Sequence, residues 1–419
     1  MAEIKEIFDE SNPWWKGEWN IGFKDRDIYK NIQKFLPMRQ IIGFTGLRRV
    51  GKTTLMLKIA QDFIANGFDP KNVLYLSFDD FKQLELRDIL NEYLRLQKKN
   101  FRSEKFLLLL DEIQKLDGWE NQVKSTYDTF GENVKIIISG SESLFIKWKS
   151  KESLAGRIFE FGVDALTFKE FLSFKGAKYS PIGIYSRELI KQFDEFTLTL
   201  GFPELIGIND KETVKKYIDE SIVEKVMYRD MLKLFKINNI SLIESLLKIF
   251  LDGPGQLIQI TDLANELQVS RQTISNYLFY LEESFLLRKL YNFSRNRRKI
   301  EKKLKKYYPT IISAELLFKE DILYKSKIFE WIIVNQLKAE FFWRDQYKHE
   351  VDMVLIKENK PIPVEIKYGR IEIDGLLSFM KKFDIEQGYI LSYDKEEERK
   401  VDGKIIKIIP AFQFLLENP

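Results

Sequence analysis

The chain has 419 residues and a mass of 49.8 kDa, which at ~150 residues per domain predicts about two to four domains. With 44% hydrophobic residues and 33 Phe, 18 Tyr and 7 Trp it can fill several cores, while 11 Pro and 21 Gly leave no room for long flexible linkers. The complete lack of Cys excludes disulfides, thiolate metal sites and cysteine nucleophiles; a single His, His349, excludes multi-histidine metal sites and argues against a Ser-His-Asp triad.

Any metal chemistry must therefore rest on carboxylates and hydroxyls, the hard oxygen ligands that suit Mg²⁺. The formal charge of +4 (67 basic against 63 acidic residues) is too small to argue for nucleic acid, so only its distribution could do so. The opening MAEIKEIFDESNPWW is acidic and has no apolar core, so it does not read as a signal peptide. No apolar stretch approaches the ~20 residues of a membrane span. A cytoplasmic protein without a membrane partner is expected.

In chain order, residues 1–35 form an aromatic lead-in with Trp14, Trp15 and Trp19, more apt to cover a core than to stack on a base. Residues 36–167 then alternate apolar runs with helical periodicity. QIIGFTG, NVLYLSFDD, KFLLLLDE and VKIIISGS read as strands, and TTLMLKIAQDFIANG and RDILNEYLRLQKKN as helices. Uniformly apolar strands alternating with helices predict an α/β fold with a parallel sheet. Residues 168–245 read as a helical connector, residues 246–308 as a winged helix with a basic strip, and residues 309–419 as an α/β domain with a helix followed by strands.

GLRRVGKT fits G-x-x-x-x-G-K-[ST] in full, between a strand and a helix. The nucleotide cradle is then Gly46, Leu47, Arg48, Arg49, Val50, Gly51, Lys52, Thr53 and Thr54. The glycines let the backbone curl so that its amides face phosphate oxygens at a helix N-terminus. Lys52 reaches the β/γ-phosphates and Thr53 offers a hydroxyl to Mg²⁺. The end of LLLLDE supplies Asp111 for the metal and Glu112 as the base for the attacking water. ATP with Mg²⁺ is the expected cofactor pair. Ser139 ends the next apolar run, where its hydroxyl would meet the γ-phosphate or water, or cap a helix. Arg157, in SLAGR, is either a transition-state arginine or a solvated one.

GFTGLRRVGKTTLM, LYLSFDD, LLLLDEIQKLDGW, IIISGSESL, SLAGR…LTFKEFL and LGFPELI together resemble archaeal and bacterial AAA+-type, STAND-like ATPases. Those carry a winged helix and a restriction-endonuclease-like C-terminal domain of poorly known function. The resemblance covers nearly the whole chain after the first ~30 residues. It implies a sensor role for Ser139 and a finger role for Arg157, in its own or a neighbouring subunit.

ITDLANELQVSRQTISNYLFYLEESFLLRKL has helix-turn-helix spacing, with Ser270 capping the second helix. That helix would present Arg271, Gln272, Thr273 and Asn276 to DNA. SRNRRKIEKKLKK adds Arg295, Arg297, Arg298 and Lys299 to a basic strip running to Lys306, suited to phosphates. A packing role for the winged helix and a merely solvated strip stand as the alternatives.

In EVDMVLIKENKPIPVEIKYG, Asp352 is expected on one strand and Glu365 and Lys367 on one face of the next. With Glu330 this fills an E…D…ExK pattern. Asp352, Glu365 and Glu330 would hold Mg²⁺, and Lys367 would stabilise the phosphorane oxygens. The reading is an ATPase switch associated with DNA, which could form homo-oligomers. A STAND-type signalling ATPase whose last domain binds protein, and an ATP-regulated nuclease, are the alternatives.

Overall fold

The computed structural model describes residues 2–79, 84–140, 154–232, 235, 237–296, 298, 300 and 304–417. They divide after Asp164 into two units.

In the first unit, α1 (Ala2–Ser11) and α2 (Asp27–Gln33) precede β1 (Ile41–Thr45) and α3 (Lys52–Ala65). Then follow β2 (Val73–Ser77), α4 (Leu86–Gln97), β3 (Phe106–Asp111), α5 (Trp119–Phe130), β4 (Val134–Gly140) and β5 (Ile158–Gly162). The five strands form one sheet in the order β2-β3-β4-β1-β5, every pairing parallel. Both faces of such a sheet are covered, so β1 and β3 are buried at every position. Leu74, Leu76, Leu108, Leu110, Ile136 and Ile138 pack with Leu86, Ile89, Tyr93, Trp119 and Val123 from α4 and α5 in one core. Because all strands run one way, their carboxyl ends share one edge, which is where ligands meet open α/β sheets.

The lead-in segment closes the β2 edge. The side-chain amide of Asn12 mimics a strand: it accepts from the Tyr75 N–H at 2.7 Å and donates to the Tyr75 carbonyl at 3.1 Å. The indoles of Trp14 and Trp15 both donate to the Val73 carbonyl at 3.0 Å, and Trp15 stacks on Tyr93. These two tryptophans are therefore packing residues, answering the backbone groups that an edge strand leaves unpaired.

The second unit starts with α6 (Phe168–Lys175) and α7 (Ile182–Thr199). A capping box begins α6, in which Thr167 and Glu170 satisfy each other's backbone N–H. Next, α8 (Lys211–Lys216) continues into π-helical turns over Tyr217–Val223 and Lys225–Met231. After that come α9 (Ile240–Asp252), β6 (Gln256–Ile258), α10 (Ile260–Glu266), α11 (Arg271–Glu283), β7 (Leu287–Asn292) and β8 (Lys305–Pro309). The remainder is α12 (Ala314–Leu317), α13 (Ile322–Gln336), β9 (Phe341–Arg344), β10 (Glu350–Val351), β11 (Met353–Lys357) and β12 (Lys360–Lys367), then α14 (Asp374–Phe383), β13 (Gln387–Ser392), β14 (Glu397–Val401), β15 (Lys404–Pro410) and α15 (Ala411–Glu417).

Two sheets organise this unit, in the orders β10-β9-β7-β8-β6 and β11-β12-β13-β15-β14. The first spans residue 308: β7 pairs antiparallel with β8 on one side and parallel with β9 on the other, through Tyr291–Phe341 and Asn292–Phe342. The stretch expected as one strand around Asp352 is two. It leaves the first sheet after Val351 and joins the second at Met353, so Asp352 sits at the crossing rather than within a strand. Its carboxylate accepts the Ile366 N–H at 2.9 Å there.

Leu108 lies at 0% exposure in the core of the first unit. Leu108→Ala should cost about 2–5 kcal/mol, read as a lower urea midpoint of that unit's unfolding transition.

Candidate functional site

The loop between β1 and α3 takes the backbone path that its glycines permit. Gly46, Arg49 and Gly51 have φ of 143°, 64° and 97°, in the range that side chains with a Cβ resist. At Gly46 the constraint is also steric, because a Cβ would lie 2.1 Å from the Val163 carbonyl oxygen. Val50 is buried, anchoring the loop, while Arg48 is half-buried and Arg49, Thr53 and Thr54 face solvent. The Lys52 ammonium is buried and donates to the Gly46 and Leu47 carbonyls at 2.9 and 2.7 Å. It thus lies over the curl of amides that a phosphate would occupy.

Asp111 ends β3 beside this loop. Its carboxylate accepts from the Thr53 hydroxyl at 2.6 Å, from the Tyr75 hydroxyl at 2.8 Å, and from the Ser139 hydroxyl. The Glu112 N–H donates to both Asp111, at 3.1 Å, and Ser139, at 3.3 Å. Ser139 therefore positions the acidic pair from β4. The Thr53 hydroxyl and the Asp111 carboxylate are paired hard oxygens, so they fit Mg²⁺. Glu112 adopts φ 51°, which turns it out of line with the strand, and Gln114 donates to its carboxylate at 2.6 Å. Burial pushes its carboxyl up, against the pull of Lys52 and Arg48.

Two residues of this site were not singled out in the sequence. Tyr75 reaches Asp111 from β2, and Arg26 clamps the loop from outside. Its guanidinium donates to the Val50 carbonyl at 2.9 Å and to the Asp164 carbonyl at 2.8 Å. Nothing in the sequence around Arg26 marks it for this role.

Arg157 is not brought to this edge. It precedes β5, its carbonyl accepts from the Ile41 N–H, and its side chain pairs with Asp128 at 2.9 Å. The loop begins at the other end of β1, roughly 15 Å away at ~3.3 Å per residue.

A second set of ionisable groups meets in the second unit. Glu330 comes from α13, Glu350 from β10, Asp352 from the crossing, and Glu365 and Lys367 from β12. Lys367 donates to Glu365 at 2.7 Å. Burial pushes Glu365 up to about 8, helped by Asp352, and pushes Asp352 up to about 6, helped by Glu330. Burial also works against the Glu330 anion, but Lys306 and the Tyr308 hydroxyl hold it below the usual carboxylate range. Lys306 is a correction. Expected in the basic strip, it lies 4% exposed among these carboxylates, 2.9 Å from Glu330, 2.9 Å from Glu350 and 3.5 Å from Asp352. On β8 it shares a face with Tyr308, whose hydroxyl also reaches Glu330. The carboxylates expected to hold Mg²⁺ already surround an ammonium, so they do not fit a metal ion. Among the described residues no cluster of three or more His, Asp or Glu is arranged to hold one.

The expected DNA-facing groups divide. Ser270 caps α11 by accepting the Thr273 N–H at 3.0 Å. Arg271 and Gln272 are exposed, with Thr273 and Asn276 half-buried beside them. Gln272 donates to Asn276 at 2.8 Å. Arg295 donates to the Phe383 carbonyl at 2.7 Å, and Arg298 is exposed. Arg297 and Lys299 lie outside the described residues. His349 pairs with Asp345 at 2.9 Å.

Residues 38–172 match the family model described as an AAA domain; residues 190–310 and 326–414 match two domains of unknown function, DUF8612 and DUF4143. The uncharacterized protein MJ1544 of Methanocaldococcus jannaschii is 30% identical over 94% of this chain and 92% of its own length. The chain belongs to the MJ1544 family. An uncharacterized Haemophilus influenzae protein, 26% identical, spans 95% of the chain and 96% of its own length. Among solved structures, AMPPCP-bound DnaA from Aquifex aeolicus shares 16% identity over 63% of this chain and 90% of that one, with a TM-score of 0.29. By the family match over residues 38–172, this MJ1544-family chain carries an AAA-type P-loop ATPase domain. No helix among the described residues is long and apolar enough to cross a membrane.

Removing the Arg26 clamp should loosen the loop without touching its sequence. Arg26→Ala is expected to weaken nucleotide affinity about tenfold, as two charge-assisted hydrogen bonds are lost. Titration with a fluorescent ATP analogue reads this directly; unchanged affinity would remove Arg26 from the site.

Proposed function

We propose that the chain is a Mg²⁺-dependent ATPase that acts as a DNA-associated switch. The observation that carries the first half is the meeting of Lys52, Thr53, Asp111 and Glu112 at one strand edge under a curl of amides. ATP would place its phosphates in that curl, with Lys52 exchanging its carbonyl partners for phosphate oxygens. Mg²⁺, held by Thr53 and Asp111, would neutralise phosphate charge. Glu112 takes the proton of the attacking water, and Ser139 with Tyr75 keeps Asp111 in line. Arg157, remote from its own loop, could meet a phosphate only on a second copy in a homo-oligomer.

The second half rests on the order helix, strand, helix, helix, strand, strand from α9 to β8, with β6 and β7 flanking β8. This order supports a winged helix whose second helix, α11, offers Arg271 and Gln272 to DNA. Arg298 extends the basic surface along the β7–β8 connection. Beyond residue 309, the crossing that carries Asp352 beside the strand that carries Glu365 and Lys367 supports a nuclease-like fold, and the Lys306 ammonium argues against metal-dependent cleavage in it. A STAND-type signalling ATPase remains the competing reading, and salt response separates the two.

Lys52→Ala should abolish ATP turnover, and Glu112→Gln should reduce it by roughly 10²–10⁴ while leaving binding. Glu365→Ala should leave turnover intact. Steady-state phosphate release measures all three, and hydrolysis by the Lys52 variant would refute the assignment. For DNA, anisotropy titrations on a duplex should show affinity falling steeply with salt. Arg298→Ala should reduce the slope of log affinity against log salt by about 1. Absence of salt-sensitive binding would favour the signalling reading.

A further inference from the structure

The donors and acceptors around Lys306 can be counted. An ammonium offers three protons, and three carboxylates face it: Glu330 and Glu350 at 2.9 Å and Asp352 at 3.5 Å. Glu330 accepts the Tyr308 hydroxyl on the same oxygen, Oε1, that faces Lys306, while Glu350 accepts from Arg344 at 3.1 Å and Asp352 takes the Ile366 N–H, each on its second oxygen. Glu365 is held by Lys367 and by the Asp352 N–H.

Mg²⁺ demands near-octahedral oxygens at ~2.0–2.1 Å. Here an ion on Glu330 and Asp352 would sit against the ammonium that both carboxylates already face, and two cations so close repel. Lys306 and Tyr308 alternate onto one face of β8, so the backbone itself delivers the lysine; it cannot swing away as a surface side chain would. A buried lysine is tolerated only when carboxylates answer it, and here they do so from three separate elements.

We infer that Lys306 is the resident cation of this centre, and that it excludes a divalent metal from Glu330, Asp352 and Glu365. The group is then an ionic knot binding β8 to α13, β10 and the Asp352 crossing. It keeps the acidic cluster of a cleavage site without its metal.

The test uses full-length protein carrying Asp111→Asn, so that the phosphate loop contributes no metal site. Mn²⁺ is titrated and its free-ion electron paramagnetic resonance signal followed. The parent should show no Mn²⁺ binding that an added Asp352→Asn removes. Adding Lys306→Ala, with folding checked by circular dichroism, should create a site at least about tenfold tighter than any in the parent, and that site should vanish with Asp352→Asn. Parent binding that depends on Asp352 overturns the inference, as does a folded Lys306→Ala protein that gains nothing. If Lys306→Ala does not fold, the parent titration with and without Asp352→Asn decides alone.

Discussion

A carboxylate taken out of water must be answered by donors or cations, and both ionic centres of this molecule are arranged around that demand. Asp111 is answered by three hydroxyls, from Thr53, Tyr75 and Ser139, each on a different element. The acidic cluster of the second unit is answered by Lys306, Lys367 and Arg344. The solutions differ in kind. The hydroxyls around Asp111 bring no charge of their own. Ammonium groups spend the charge of the other cluster internally. The same residue type is thus met by neutral donors in one centre and by cations in the other.

The answer at Asp111 reaches back to the lead-in segment. Asn12 fixes the backbone of Tyr75, and Tyr75 fixes Asp111. Arg26 works in parallel on the other side of the loop. Residues before the first strand thus shape the site although none of them belongs to a recognisable motif. A cap of this kind also explains the aromatic richness of the first twenty residues, since Trp14 and Trp15 must satisfy an edge backbone as well as fill space.

What the sequence disclosed follows the range of the interactions involved. Gly46 to Thr54 act through consecutive backbone amides, so the spacing of residues carries the geometry and was readable. Uniform apolarity of LLLL and IIIS announced strands with two covered faces, and Ser270 announced its own cap. Tyr75, Arg26 and Lys306 act across gaps of 24 residues or more, from positions whose neighbours say nothing about them. Lys306 was misleading for a definite reason. In a run of basic residues each looks solvated, and only pairing of β8 with β7 and β6 decides which one turns inward. Arg157 is a similar case: its glycine-arginine context was legible, but the end of the sheet it occupies is a property of register.

The parallel pairing of β7 with β9 has an evolutionary consequence. Two family models part company between residues 310 and 326, as though the pieces were inherited separately. Yet the backbone of one completes the ladder of the other. A lineage that swapped the final piece for a foreign one would have to inherit a matching strand edge with it, or leave Tyr291 and Asn292 facing nothing. A replacement for the final piece would have to supply carbonyls where those of Glu340 and Phe342 accept from the Tyr291 and Phe293 N–H groups.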